Sequence, residues 1–551
     1  MNRNGILLIT LVLLLAFSTV PALSQSGPGG VGDMTNTQLW LRADRGVFTI
    51  MPLSAVVQWD DQSGNARNFK PVILDQNVPV RTVSGLNGLP VVSFDDMGGV
   101  SGDFLGYKGG LGFSGSGAAT VIMVARNTTV ADEQNGGLYI GQENVGAAGQ
   151  VRNYSLEYSD AVRFNGESQI FSDGHTAGNW KMVIYANGSG ASVSGYTSWL
   201  DGTMLTGSSA SATVPLLTAN FSLLGATQFG GTLNPAGFFN GDIAEVVVYS
   251  GQLNDASRIV VENSLAAKYD LTISDDHYAY QQAHSHDVSG IAAYNGTTFT
   301  TGYSSPLLSI NSPANLSDNE YLFYGHNNQS ATTWTMTEVP APGTYRIARE
   351  WRIDETSDVG TVTVTIPASS LPAFPAGYTQ VGILTDDDGD FTSGTTMHRA
   401  TLTAGFYELS LNLTSGQYMT IIAYRPEVNY TVISSSGAES VTSVTVQATL
   451  NYIYPSDVTV DYAVTGGTAT PGVDFILIPG TLSIPAGSLT GSYTFTVIND
   501  AILEPDETVI IGLLNPTAGV TVGSQNPFTY TIINDDFIYV SFSSATAAEA
   551  E

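Results

Sequence analysis

Two stretches near the C-terminal end of the sequence concentrate oxygen ligands. Asp500 and Glu504 lie on one acidic turn, and Asp535-Asp536 stand where an alternating strand ends. Carboxylates crowded onto neighbouring loops repel one another unless a cation sits among them. A hard cation such as Ca2+ takes ~6–8 oxygen ligands, mostly carboxylate and carbonyl. From spacing alone the same residues serve equally as solubilising turn residues, because Asp and Asn favour turns anyway.

Three other groups invite chemistry. His284-Ser285-His286-Asp287 carries two imidazoles that would share a face on an extended strand, a transition-metal pattern that lacks a third nearby His. Asp386-Asp387-Asp388-Gly389-Asp390-Phe391 begins like a calcium loop, but Met397 stands where an EF-hand needs its bidentate acid, so a solvated acidic turn is expected. Asp60, Asp61 and Asn65 read as a polar turn by the same reasoning. No Gly-x-Ser-x-Gly elbow occurs in the chain.

The elements that would hold these residues are mostly strands. Val362, Val364 and Ile366 alternate with threonines, as do Val458, Val460, Tyr462 and Val464, then Tyr493, Phe495 and Val497, then Phe528, Tyr530 and Ile532. Period-two alternation of this kind describes antiparallel strands buried on one face. One segment departs from it. From Asp255 to Tyr269, Val261, Leu265 and Tyr269 recur at four-residue steps behind Asn254 or Asp255 as a cap, which predicts the single helix.

The chain has 551 residues, 49 acidic and 18 basic, a net charge of −31 and no cysteine. Its 43% apolar content is ample for packed cores, which excludes wholesale disorder. Zero cysteine removes disulfide scaffolds, zinc fingers, iron–sulfur clusters and thiol nucleophiles. A surface this negative repels phosphate backbones, so no nucleic-acid partner is expected. Arg3, the apolar run Ile6 to Phe17 and the small residues Ala22-Leu23-Ser24 form a secretory leader over residues 1–24, too short for a ~20-residue membrane span. No later stretch is long enough to be a transmembrane segment, and the expected location is secreted or at the extracellular cell surface.

Composition divides the rest into residues 33–274, 276–427 and 429–536. Residues 537–551 look like the opening of a further repeat: Tyr539-Val540-Ser541-Phe542-Ser543-Ser544 through Glu549 parallels Tyr430-Thr431-Val432-Ile433-Ser434-Ser435 through Glu439. The fold class is all-β, a series of β-sandwiches.

Resemblances sharpen this division. Gly467-Thr468-Ala469-Thr470-Pro471-Gly472-Val473-Asp474-Phe475, Gly480-Thr481-Leu482-Ser483-Ile484-Pro485-Ala486-Gly487, Asn499-Asp500 with Glu504-Pro505-Asp506-Glu507-Thr508, and Asn534-Asp535-Asp536 follow one another as in the Calx-beta domain. That resemblance covers residues 429–536 and implies an immunoglobulin-like sandwich binding calcium at one tip. The family's ligand positions fall on Glu439, Asp500, Glu504, Asp535 and Asp536; its frequent Asp before Gly467 is Gly466 here. Because Phe537 follows Asp536 directly, an ion there would stiffen the hinge to the next unit.

Residues 33–274 resemble the concanavalin A/laminin-G jelly roll through Leu39-Trp40-Leu41-Arg42-Ala43-Asp44, Trp59-Asp60-Asp61-Gln62-Ser63-Gly64-Asn65, Trp199-Leu200-Asp201-Gly202, Phe239-Asn240-Gly241-Asp242-Ile243-Ala244-Glu245-Val246 and the closing helix. This implies a glycan or surface-protein ligand. Glycosidases on that fold carry Glu-x-Asp-x-x-Glu on one strand, a run absent here, so no catalytic residue is assigned and Glu245 is a structural strand residue. Trp59, Trp180 and Trp199 fill the core more readily than they stack on sugars. Tyr321-Leu322-Phe323-Tyr324-Gly325-His326 and Arg349-Glu350-Trp351-Arg352-Ile353-Asp354 resemble an uncharacterised bacterial surface β-sandwich. The expectation is a calcium-binding adhesion or interaction protein, a lectin-like head on a calcium-stiffened stalk. The alternative is the accessory region of a secreted polysaccharide-degrading enzyme whose catalytic module lies elsewhere.

Overall fold

The computed structural model describes residues 27–541, except 73–75, 98–100, 113–116, 129–136, 142–151, 158–160, 165–168, 173–177, 190–195, 210–220, 229–234, 305, 341–343, 379, 455 and 539. The leader at 1–24 and most of the segment 537–551 lie outside the described residues.

The protein is almost entirely β. In its first unit a ten-stranded sheet faces a seven-stranded one. At the centre of the larger sheet Ala119–Asn127 pairs antiparallel with Gly241–Tyr249, Met123 opposite Val246. Trp59, Phe94, Met123, Tyr154, Tyr185 and Val246 form the core on one side of this sheet. On its other side Ile122, Val124, Ile184, Trp199 and Val247 pack against the helix Asp255–Tyr269. Both faces of Gly241–Tyr249 are therefore covered, and all nine of its residues are buried. A run of apolar residues, not alternation, is what such a strand needs.

The helix begins where the sequence places it. The Asn254 side chain accepts from the Ser257 N–H at 2.8 Å, and Asp270 closes the helix in the left-handed conformation. Its outer face does not meet water. Tyr278, Val288, Ala292, Tyr321 and Phe323 of the second unit join the same core, so the boundary at 274–276 crosses a continuous apolar cluster. Pro28–Gly30 is buried there as well, and Ser289 Oγ donates to the Gly29 carbonyl at 2.6 Å.

The second unit stacks a nine-stranded sheet on a five-stranded one between residues 286 and 424. Tyr324, Trp351, Ile353, Val364 and Ile421 fill the space between them. The third unit is a sandwich of two five-stranded sheets around Tyr430, Val460, Phe495 and Tyr530. Its strands Ser443–Leu450 and Thr490–Val497 show the alternating burial their sequences dictate.

The expectation of purely antiparallel pairing needs correction in this last unit. Glu427–Tyr430 runs parallel to Thr521–Val522, and Ser434–Ala438 runs parallel to Phe528–Ile533. The opening segment leaves one sheet after Tyr430 and joins the other at Ser434. Its partners come from the far end of the unit, where no hairpin imposes direction, so parallel pairing is open to it.

Candidate metal centre

One tip of the third sandwich is built from strand ends. Ser434–Ala438 ends at Glu439, Thr490–Val497 leads to Asp500, and Phe528–Ile533 leads to Asp535-Asp536. Phe475–Ile476 and Glu507–Leu514 start at the same tip, which brings Asp474 and Glu507 there too. The ladders fix these positions: Ala438 pairs with Ile533, Glu507 with Ile532, and Phe475 with Val497.

Two groups of carboxylates result. Oxygens of Glu439, Asp500 and Asp536 lie within 4.8 Å of one another, as do oxygens of Asp474, Glu504 and Glu507. Four residues expected from the sequence thus enter the two groups, Glu504 in a different group from the other three. Asp535 belongs to neither; its Oδ2 accepts from Ser440 Oγ at 2.6 Å, while its charge still acts on Glu439.

The electrostatics suit a cation. Burial raises the Glu439 carboxyl above its ordinary range, and Asp536, Asp500, Asp535 and Glu504 push it further. Glu507 is raised to about 7 by burial, by a hydrogen bond with Asp474 and by the charges of Asp474, Glu504 and Glu439. Asp536 Oδ2 is buried with no hydrogen-bond partner. An orphaned, buried carboxylate oxygen beside two others is a donor set for a hard cation, and the residues present fit Ca2+.

The loops are braced independently of any ion. The Asn534 side chain donates to the Glu504 carbonyl at 2.6 Å, and its Oδ1 accepts from the Asp536 N–H at 2.7 Å. Asp500 Oδ1 accepts from the Ile502 N–H at 2.8 Å, and Asp474 Oδ2 from the Thr470 N–H at 2.6 Å. Sequence reasoning missed Asp474 and Glu507 as members of the tip. The available signal was position: Asp474 immediately precedes the buried Phe475, and Glu507 opens a strand.

The other candidates resolve differently. His284 is buried, His286 is exposed, and His326, whose Nδ1 accepts from the Asn328 N–H, donates through Nε2 to Asp287 at 3.1 Å. Among the described residues, the two carboxylate groups are the sets of three or more that gather for a metal, and the histidines do not form one. Asp386 Oδ1 is taken up by the N–H groups of Asp388 and Gly389, and Asp390 Oδ1 by Thr392, which makes this an acidic turn. Asp61 accepts from the N–H groups of Trp40, Ser63 and Arg67, pinning the first strand to its neighbour. Trp59 lies in the core, Trp199 beneath the helix with Arg258 4.8 Å from its ring, and Trp180 is half-buried beside Arg126.

Residues 426–536 match the family model of the Calx-beta domain, and residues 271–417 match a domain of unknown function (DUF8202). The sodium/calcium exchanger Calx of Drosophila melanogaster is 38% identical over 77 residues, which are 14% of this chain and 8% of that protein. The chain therefore spans under a tenth of that relative's length. Among solved structures, the apo-form Calx CBD1 domain is 28% identical, with 20% of this chain and 99% of that chain covered at a TM-score of 0.20. Domain 4 of AbnA, a GH43 extracellular arabinanase from Geobacillus stearothermophilus in complex with arabinotriose, is 15% identical, with 40% and 94% covered and a TM-score of 0.26.

Proposed function

We propose that this protein is an exported, calcium-binding surface protein that acts in adhesion by binding and not by catalysis. Its first unit is a lectin-like head of the concanavalin A/laminin-G kind, the second a spacer, and the third a stalk element that calcium stiffens. The observation that carries the reading is the pair of three-carboxylate groups at one tip, the first of which contains Asp536 immediately before Phe537. Glu439, Asp500 and Asp536 would hold one ion and Asp474, Glu504 and Glu507 another, with Asp535 close by. Calcium supplies the positive charge these carboxylates lack, and so ties the ends of five strands together beside the segment entering the next unit. The Calx-beta match and the likeness to a protein named as a sodium/calcium exchanger support calcium as the ion. The leader pattern of residues 1–24 supports export.

Calorimetric titration of the full chain tests this. Binding heat at or below millimolar calcium is expected, with a rise in melting temperature and slower proteolysis at the Phe537 junction. No heat and no shift at millimolar calcium would overturn it.

A further inference from the structure

The connector from Asp270 to Tyr278 joins the first unit to the second, and a few hydrogen bonds pin it down. The Asn263 side chain, on the helix Asp255–Tyr269, donates to the Asp275 carbonyl at 2.9 Å and accepts from the His277 N–H at 2.7 Å. The Ser274 N–H donates to the Asp201 carbonyl at 2.9 Å. On the other side the His277 ring stacks on Tyr321 of the second unit, centroids 4.1 Å apart.

Glu262, next to Asn263 on the helix, is wholly buried. Arg258, one turn earlier, donates to its Oε2, while its Oε1 is buried with no hydrogen-bond partner. That guanidinium is shared: it also lies 3.7 Å from Asp255 and 4.8 Å from the Trp199 ring. Asp275 on the connector and Asp255 on the helix both add negative charge at Glu262, against the single Arg258. From the sheet beneath, Lys181 is paired with Asp201 at 2.7 Å. From the second unit, Asn295 donates to Asp255 at 2.8 Å, and burial pushes the Tyr321 hydroxyl up to about 12. Burial holds His277 below its ordinary range, against the pull of Asp275, Asp276 and Asp354. A buried carboxylate with one bare oxygen and surplus negative charge around it is stabilised by a proton. Burial raises Glu262 to about 7, with Arg258 opposing and Asp275 and Asp255 adding to the rise.

We propose that Glu262 is a pH-sensitive latch on the joint between the first two units. With its proton, Glu262 is neutral towards Asp275 and the connector stays on the helix. Without it, the two carboxylates repel, the bare oxygen needs water, and the connector lifts. The units are then hinged on their apolar contact alone. A carboxyl whose folded value lies above its unfolded one of about 4.3 contributes stability in full below that lower value. The contribution is lost as pH rises through about 7. His277 would act the other way, because its folded value is lowered; a joint governed by His277 would loosen in acid. The latch therefore holds the first unit in a fixed orientation in mildly acidic surroundings and lets it swing in alkaline ones, whatever ligand that unit binds.

Hydrogen exchange of the full chain tests this, with rates corrected for intrinsic exchange at each pH and calcium present to neutralise the third unit's tip. The Ser274 and His277 amides should lose at least tenfold in protection between pH 5 and pH 8, while the central strand Ala119–Asn127 keeps its own. Glu262→Gln has no proton to lose and should stay protected at pH 8. Asp275→Asn, at a half-exposed position, removes the repelling partner on the connector and should shrink the loss; it decides the matter even if Glu262→Gln does not fold. Unchanged protection in the parent, loosening towards acid, or an equal loss in the parent and Asp275→Asn would overturn the latch.

Discussion

Carboxyl oxygens of Glu507 and Asp474 lie within 4.8 Å of each other, with a third from Glu504 as near, and a proton on one of the groups relieves their repulsion. Without metal that proton sits on Glu507, whose pKa is raised to about 7. A cation between the groups does the same work without the proton. The pH dependence follows. A carboxyl whose folded value lies above its unfolded one contributes stability below the unfolded value, and this is lost as pH rises through about 7. In chelator, the third unit's melting temperature should fall between pH 5 and pH 8; in saturating calcium the fall should vanish. Identical melting profiles with and without calcium across that range would contradict this.

Charge neutralisation at the tip should act in opposite directions in the two states. Asp500→Asn and Asp536→Asn each remove one charge from the group shared with Glu439. In chelator either change relieves repulsion, so the melting temperature rises; in calcium either should cost at least tenfold in affinity, about 1.4 kcal/mol. Asp506→Asn is the control. Asp506 stands outside both groups and accepts from the Asn534 N–H at 3.2 Å, so its loss should leave calcium affinity within about twofold. Paired calorimetry and melting curves on the three variants decide the matter.

In the first unit, the buried Glu245 carboxylate accepts from Trp40 Nε1 at 2.5 Å, Lys268 Nζ at 2.6 Å and Tyr269 OH at 2.7 Å. It joins two strands to the helix, a structural role in keeping with its strand motif. Truncation in Glu245→Ala leaves Lys268 and the Trp40 indole short of their buried acceptor, a loss of about 3–5 kcal/mol for breaking a buried pair. Denaturant unfolding monitored at the first unit should show a drop of that size. A change under 1 kcal/mol would mean water replaces the carboxylate freely.

These sites differ in how far the sequence revealed them. Strands with one buried face were legible, because Thr490–Val497 and Phe528–Ile533 alternate in sequence as they do in burial. The helix was legible from its cap and four-residue steps. Gly241–Tyr249 was legible only through the resemblance, because a strand covered on both faces has no alternation to read. Most of the tip was legible through the ordered motifs of the Calx-beta resemblance, because spacing alone left its acids equally as ordinary turn residues. Asp474 and Glu507 escaped because each adjoins a strand, and a strand-end carboxylate looks like an ordinary boundary residue until the ladders align the ends.

The helix Asp255–Tyr269 sets a final expectation, about where the chain can be divided. One of its faces covers the ten-stranded sheet, while Tyr278, Val288, Ala292, Tyr321 and Phe323 cover the other. A fragment ending at Ser274 would expose that second face to water. Each large apolar side chain uncovered forfeits roughly 1.5–3 kcal/mol at most. Residues 27–274 should therefore melt well below the parent and self-associate, whereas residues 27–427, which retain the covering sheet, should melt like the first two units of the whole chain. The buried N-terminal turn sharpens the test. A Cβ at Gly30 would lie 2.8 Å from the Tyr303 backbone nitrogen, and its φ of 74° is one L-residues seldom adopt. Gly30→Ala in the longer fragment should thus lower the melting temperature, while the same change in residues 27–274, which lack Tyr303, should lose the steric part of that penalty and keep only the backbone strain. Equal shifts in both fragments would place the strain within the turn alone and argue against a shared core.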